Sequence, residues 1–224
     1  MKKNPLFALL FAVIIFAACK KNDSSTPAAA VPFMTITPLS SWQYSLVNNR
    51  NSTTSNYSLT STSRDTLINS RSYHVFTNSN GNSAEYYFRS GADYYNFRNL
   101  GATLGNTTIE ALYLKDNTSV GGTWSQSTTI PTPIGFPIPV TLTFTCIEKG
   151  ISKIVNGISY NDVIHIKTAI TSTSIPAASL FTDIHNYYAP RVGAIESTNI
   201  IKLNFSGVAD TTDTKTILLS SDIR

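Results

Sequence analysis

The sequence predicts an all-β domain: one antiparallel, strongly curved sheet, a half-barrel or open barrel. Three observations carry that expectation. Ser and Thr fill 56 of the 224 positions, alongside abundant Val, Ile and Tyr, a mixture that favours strands over helices. Val140-Thr141-Leu142-Thr143-Phe144-Thr145-Cys146 alternates apolar and polar residues without a break, as a strand with one buried and one solvated face does. Asn156-Gly157 separates Lys153-Ile154-Val155 from Ile158-Ser159-Tyr160. Two adjacent positions that tolerate positive φ between apolar runs are the strongest short-range hairpin signal.

The chain opens with Met1-Lys2-Lys3, and residues 6–18 then run thirteen positions without a charge. A helix of that length spans about 20 Å, short of a hydrocarbon core of roughly 30 Å. A basic start, a short apolar run and small residues at its end make a cleavable export signal over residues 1–18. Its last residues, Phe16-Ala17-Ala18-Cys19, resemble the lipobox of bacterial lipoproteins, departing from it only in Phe16 where Leu is usual. The resemblance implies cleavage before Cys19 and acylation of its sulfur, hence a membrane partner reached through acyl chains. Lys20 is not the Asp associated with inner-membrane retention in some Gram-negative systems. The expected location is therefore the outer membrane, on either side of it. Residues 19–41 carry Pro27, Pro32 and Pro38 and three consecutive alanines without hydrophobic periodicity, which reads as the acylated Cys followed by a flexible tether.

The folded domain is expected over residues 42–224, opening on the alternating Trp42-Gln43-Tyr44-Ser45-Leu46-Val47. Further strands are expected at 57–62, 72–78, 84–90, 92–98, 109–115, 123–130, 162–170, 182–189, 199–206 and 215–221, with one helical turn at 175–181 after Ser174. Strands this numerous with turn signals between them mean an all-β sheet that curves or closes. In the second half, Gly122-x-Trp124, Val155-x-Gly157-x-x-Tyr160-x-Asp162-Val163 and Tyr187-Tyr188-Ala189-x-x-Val192-Gly193-x-Ile195 resemble an order found in exported bacterial β-sheet proteins. Many of those are lipoproteins of unknown function, some with the half-barrel of lipoprotein carriers. The resemblance implies a fold and no activity. Gly193 by itself suits a bend or bulge between strand halves.

Charge and chemistry exclude more than they select. Seventeen basic residues stand against thirteen acidic ones, +4 in all, too slight an excess for a nucleic-acid partner. The sequence contains no G-x-S-x-G, G-x-G-x-x-G, Walker or H-E-x-x-H motif, so no catalytic residue, cofactor or metal is assigned. Cys146 sits on the apolar face of a strand and reads as buried and inert. His165, Asp183 and His185 are the exception to watch. Asp183 and His185 share one side of a strand, and convergence with His165 is what a metal site or an unrecognised hydrolase would need. Asp210-Thr211-Thr212-Asp213 lacks the ligand count of a calcium loop.

Three sets of residues rise above this background. Residues 130–139 carry four prolines with Ile134, Phe136 and Ile138, an apolar loop that either covers its own sheet or forms a lid over a cavity. Asp65-Thr66-Leu67 and Asp210-Thr211-Thr212 look like O-glycosylation sites of some Gram-negative exported proteins, at Thr66 and Thr211. The hairpin centred on Ser90-Gly91 places Tyr87 opposite Tyr94. Tyr87 and Tyr94 then share a face with Glu85, Arg89 and Asn96, and that face is expected to be the wet one because its charges resist burial. It would be an aromatic platform for a glycan or an envelope protein. The leading expectation is thus a lipid-anchored, non-enzymatic binding or scaffold domain of the cell envelope. The alternative is a carrier for an apolar ligand in the concave face, and a cavity of several hundred Å³ would favour it.

Overall fold

The computed structural model describes residues 31–80, 84–99, 108–130, 137–205 and 207–224. Its folded unit runs from Val31 to Arg224. The strands are β1 (Ser41–Asn48), β2 (Thr53–Ile68), β3 (Arg71–Asn78), β4 (Glu85–Ser90), β5 (Asp93–Asn99) and β6 (Thr108–Lys115), followed by β7 (Thr123–Ile130), β8 (Ile138–Val155), β9 (Ile158–Thr171), β10 (Leu180–Ala189), β11 (Gly193–Phe205) and β12 (Val208–Asp222). All pair antiparallel in one sheet, in the order β6-β5-β4-β3-β2-β1-β12-β11-β10-β9-β8-β7. The first and last strands lie side by side in its middle, and its two edges are the consecutive strands β6 and β7.

Turn chemistry sets much of this register. Asn156 and Gly157 have φ of 49° and 78°, and Asn69 and Ser70 have 49° and 63°, so both hairpins turn on two residues with positive φ. The expected 153–160 hairpin is present, but as the tip of two long strands. Register shifts interrupt β8–β9 at three places; each adds local twist and coils the sheet around on itself. The expected helical turn is a short 3-10 turn at Ala177–Ser179.

The edges meet across a seam made by side chains. Trp124 Nε1 on β7 donates to the Leu112 carbonyl on β6 at 2.8 Å. The Leu112 N–H donates to Gln126 Oε1 at 3.1 Å, and Gln126 Nε2 donates to the Glu110 carbonyl. Trp124 also stacks on Phe144, with centroids 5.4 Å apart. Edge groups that would otherwise invite another chain are thereby satisfied within the fold, and the sheet is a nearly closed barrel.

One end of the barrel is filled. Trp42, Phe76, Ile195 and Leu218 form one buried cluster, and Tyr94, Leu114, Cys146, Ile164 and Ile166 form a second. Complete burial of each such large apolar side chain stabilises by about 1.5–3 kcal/mol. Met34 packs against both clusters. The tether expected through residue 41 therefore ends earlier, because residues 32–40 are tied to the barrel as a strap. The Arg191 N–H donates to the Pro32 carbonyl, the Leu39 N–H to the Ser61 carbonyl and the Ser61 N–H to the Ser40 carbonyl. Thr35 Oγ1 donates to the Arg191 carbonyl at 2.7 Å.

Candidate functional site

Above the filled end, the inner face of the barrel encloses a cavity of about 440 Å³. Alternate residues of nearly every strand line it, because side chains of a closed sheet point alternately in and out. Its two walls differ. Strands β1 to β5 contribute Tyr44, Tyr57, Glu85, Tyr87 and Asn96, whereas β8 to β11 contribute Leu142, Phe144, Ile170, Ile184 and Ile201, with Thr168, Asn186, Ser197 and Asn199 among them. Tyr44 and Tyr57 stack at 5.2 Å. Burial raises the Tyr44 phenol well above its ordinary range, with neighbouring tyrosines and Glu85 adding to the shift. Its hydroxyl donates to the Ala194 carbonyl at 2.9 Å.

The expected aromatic platform turns inward, not to solvent: Glu85, Tyr87 and Asn96 line this lumen and Tyr94 packs in the second core cluster. Tyr94 is 1% exposed and Asn96 is 6% exposed. The turn is centred one residue later than expected: Gly91, with φ of 60°, takes the first central position, which suits a type II′ turn. Tyr87 therefore lies opposite Asn96, and Arg89 opposite Tyr94. Moving a turn by one residue shifts the pairing by two, so the face keeps its members while the cross-strand tyrosine pair is lost. The charges of this face do not keep it outward: Glu85 accepts hydrogen bonds from Asn78 and Tyr87 on the inner face, and Arg89 reaches out to the Gly91 carbonyl at 2.8 Å. Tyr94 is a structural clasp. Its hydroxyl accepts the Phe33 N–H at 3.0 Å and donates to Asp116 at 2.8 Å, and burial, with Asp116 adding to it, pushes its pKa up to about 12. The hairpin's outward aromatics are Tyr86, Phe88, Tyr95 and Phe97; Tyr86 packs on Phe97, and the other three group around Tyr73 and Arg71.

A Ser–His–Asp array that the sequence did not reveal lies at the filled end. Asp65 Oδ1 is 2.7 Å from His74 Nδ1, and His74 Nε2 is 2.9 Å from Ser61 Oγ. The connectivity is that of an acyl-transfer triad. Its surroundings are not. Ser61 is 1% exposed, its hydroxyl donates to the strap carbonyl of Ile36 at 2.9 Å, and its N–H is given to Ser40. The array fastens the strap.

His165, His185 and Asp183 do converge, on the outer face of β9 and β10. His165 Nδ1 is 2.9 Å from Glu148, His165 Nε2 is 2.8 Å from His185 Nδ1, and His185 Nε2 is 2.9 Å from Asp183. All four ring nitrogens are engaged within the row, so none is placed to take a proton from a substrate. Among the described residues no group of three or more His, Cys, Asp or Glu side chains is arranged to hold a metal ion.

The remaining expectations fall as follows. Cys146 is 0% exposed, and burial pushes its thiol pKa up. Thr66 and Thr211 lie half-buried within paired strands. Ile138 opens β8 opposite Ile130, on the same face as Leu142 and Phe144. Cys19, Ile134 and Phe136 lie outside the described residues.

No family model matches the chain, and no curated protein matches it. Two solved structures are similar. One, a candidate lipoprotein from Parabacteroides distasonis ATCC 8503, is 12% identical with a TM-score of 0.49, the match covering 86% of this chain and 99% of that one. The other, a candidate exported protein with a YmcC-like fold from Bacteroides fragilis NCTC 9343, is 8% identical with a TM-score of 0.42, covering 86% and 100%. Likenesses this distant carry nothing about a ligand or a location.

Proposed function

We propose that the protein is a lipid-anchored, non-enzymatic carrier or binding protein that holds a small amphipathic ligand inside its barrel. The observation that supports it is the lumen of about 440 Å³, within the 300–1,000 Å³ range of small-molecule sites. Its mixed lining suits a molecule with both apolar and hydrogen-bonding parts. The inward turn of Tyr87 and Tyr94 removes the surface platform that favoured a scaffold role. The anchor rests on Cys19 and its leader, and places the carrier at the cell envelope, with the outer membrane as the preferred site.

Ser197→Trp tests the lumen. Ser197 lines the cavity, and an indole there would occupy much of it. Wild-type protein is expected to take up an environment-sensitive fluorophore such as 1-aminoanthracene, and the variant to lose that uptake while keeping its β-sheet circular dichroism. Equal uptake by both proteins overturns the lumen as the site.

A further inference from the structure

We propose that the lumen selects cationic amphiphiles, amines carrying an aliphatic body, with Glu85 and Asn96 receiving the head group. This rests on the lumen being the binding site, and it adds the chemical class of the ligand. Three observations support it. Among the described residues lining the cavity, Glu85 is the one carboxylate, and no Lys, Arg or His accompanies it. Glu85 accepts Asn78 Nδ2 on one oxygen and the Tyr87 hydroxyl on the other, each at 2.6 Å. A carboxylate offers about four acceptor sites, which leaves capacity for a further donor. Asn96 Oδ1, the second observation, is buried without a hydrogen-bond partner. A stranded buried acceptor is costly, and a donor brought by a ligand would relieve it.

The third observation is their juxtaposition. Asn96 lies directly across from Tyr87 on β5, and Glu85 is two residues along β4 from Tyr87. All three therefore share the inner face, with Glu85 and Asn96 as diagonal neighbours about 7–8 Å apart. The protons of Tyr44 and Tyr87 are already donated, to Ala194 and Glu85, so these two tyrosines present ring faces to a ligand rather than free hydroxyl donors. Tyrosine faces attract ammonium groups. An anionic head would meet Glu85 as a like charge and leave Asn96 unrelieved. On the facing wall, Leu142, Ile170 and Ile184 accommodate the body of the same molecule.

The probes are dodecylamine, dodecanol and dodecanoate, one chain with three heads, titrated below their micellar concentrations into wild-type, Glu85→Gln, Asn96→Leu and Ser197→Trp proteins. Wild type is expected to bind the amine at least about tenfold more tightly than the other two, the scale of a charge-assisted hydrogen bond. Glu85→Gln is expected to bring amine and alcohol within about threefold of each other while alcohol binding holds, and Asn96→Leu to weaken the amine. Wild type binding all three alike, or preferring the carboxylate, overturns the cationic selection while leaving the lumen reading intact. Binding of no probe, or binding that Ser197→Trp does not reduce, overturns both. The wild-type comparison decides the matter even if Glu85→Gln fails to fold.

Discussion

Nε2 of His165 and Nδ1 of His185 stand 2.8 Å apart, with each outer ring nitrogen held by a carboxylate, Glu148 on one side and Asp183 on the other. All four ring nitrogens are thereby engaged. His165 resists charging. Burial lowers its pKa from the ordinary 6.5, with His185 and Lys153 acting in the same direction and Glu148 opposing. Tyr187 stacks on it at 4.1 Å. A histidine with a depressed folded-state pKa binds fewer protons in the native state, so its contribution is present above about pH 6.5 and is lost as pH falls toward the depressed value. Asp183 is lowered by hydrogen bonds from His185 and Lys167, and its contribution is lost only further down, below the ordinary carboxylate range. Urea unfolding is therefore expected to show stability declining as pH falls below about 6.5, with His165→Gln flattening that decline. An unchanged slope in the variant assigns the decline to other groups.

The seam predicts a local defect. In Gln126→Leu the Leu112 N–H and the Glu110 carbonyl lose their side-chain partners. A buried group left unsatisfied costs about 1–3 kcal/mol; these groups are half-buried, so the expected loss is at the low end, about 1 kcal/mol, measurable as a lower urea midpoint. Hydrogen exchange at the Leu112 amide is expected to quicken more than at the β8–β9 amides, which keep their backbone ladder. Unaltered protection at Leu112 would mean that the edges pair by another route.

The strand pattern was legible because it depends on neighbours. Alternation around Val140 to Cys146 and the Asn156-Gly157 turn are local, and both recur in the structure. Which face of a strand points inward is not local in a barrel, where aromatic residues occupy both faces. The 85–98 hairpin shows this, since Glu85 is held on the inner face by Asn78 and Tyr87 while Arg89 reaches out to the turn. The Ser61–His74–Asp65 array depends on a register shift between Ser61 and Asp65. Residues 62–64 carry no Gly or Pro to announce it. His165 and His185 could be singled out but not joined, because their meeting depends on the β9–β10 register across the 172–179 connection. Trp124 and Gln126 became seam residues only because β6 and β7 are the sheet edges.

The proposed anchor predicts a labelling pattern. Cells fed an alkyne fatty acid are expected to label the wild-type chain and not Cys19→Ala, and the mature wild-type N-terminus is expected to be Cys19. Label retained in the variant, or a different N-terminus, removes the lipid from the proposed function. The barrel would fold as before in either case, since its packed unit begins at Val31.

Gly193 tests how the strap holds the filled end. Its φ is +86°, and a methyl group there would stand 2.9 Å from Met34 Sδ and 3.3 Å from the Phe33 carbonyl oxygen. Two costs combine in Gly193→Ala. The left-handed backbone costs an L-residue about 1–2 kcal/mol, and Met34 must leave its place between the two core clusters. The double variant separates them. In a Met34→Ala background the thioether is gone, so the cost of Gly193→Ala is expected to shrink toward the share set by the backbone and the Phe33 carbonyl, a coupling of about 0.5–3 kcal/mol. Chemical denaturation of the four proteins gives the cycle. Strictly additive costs would mean that Met34 yields freely and that the strap is held by its hydrogen bonds to Arg191, Ser61 and Tyr94 alone.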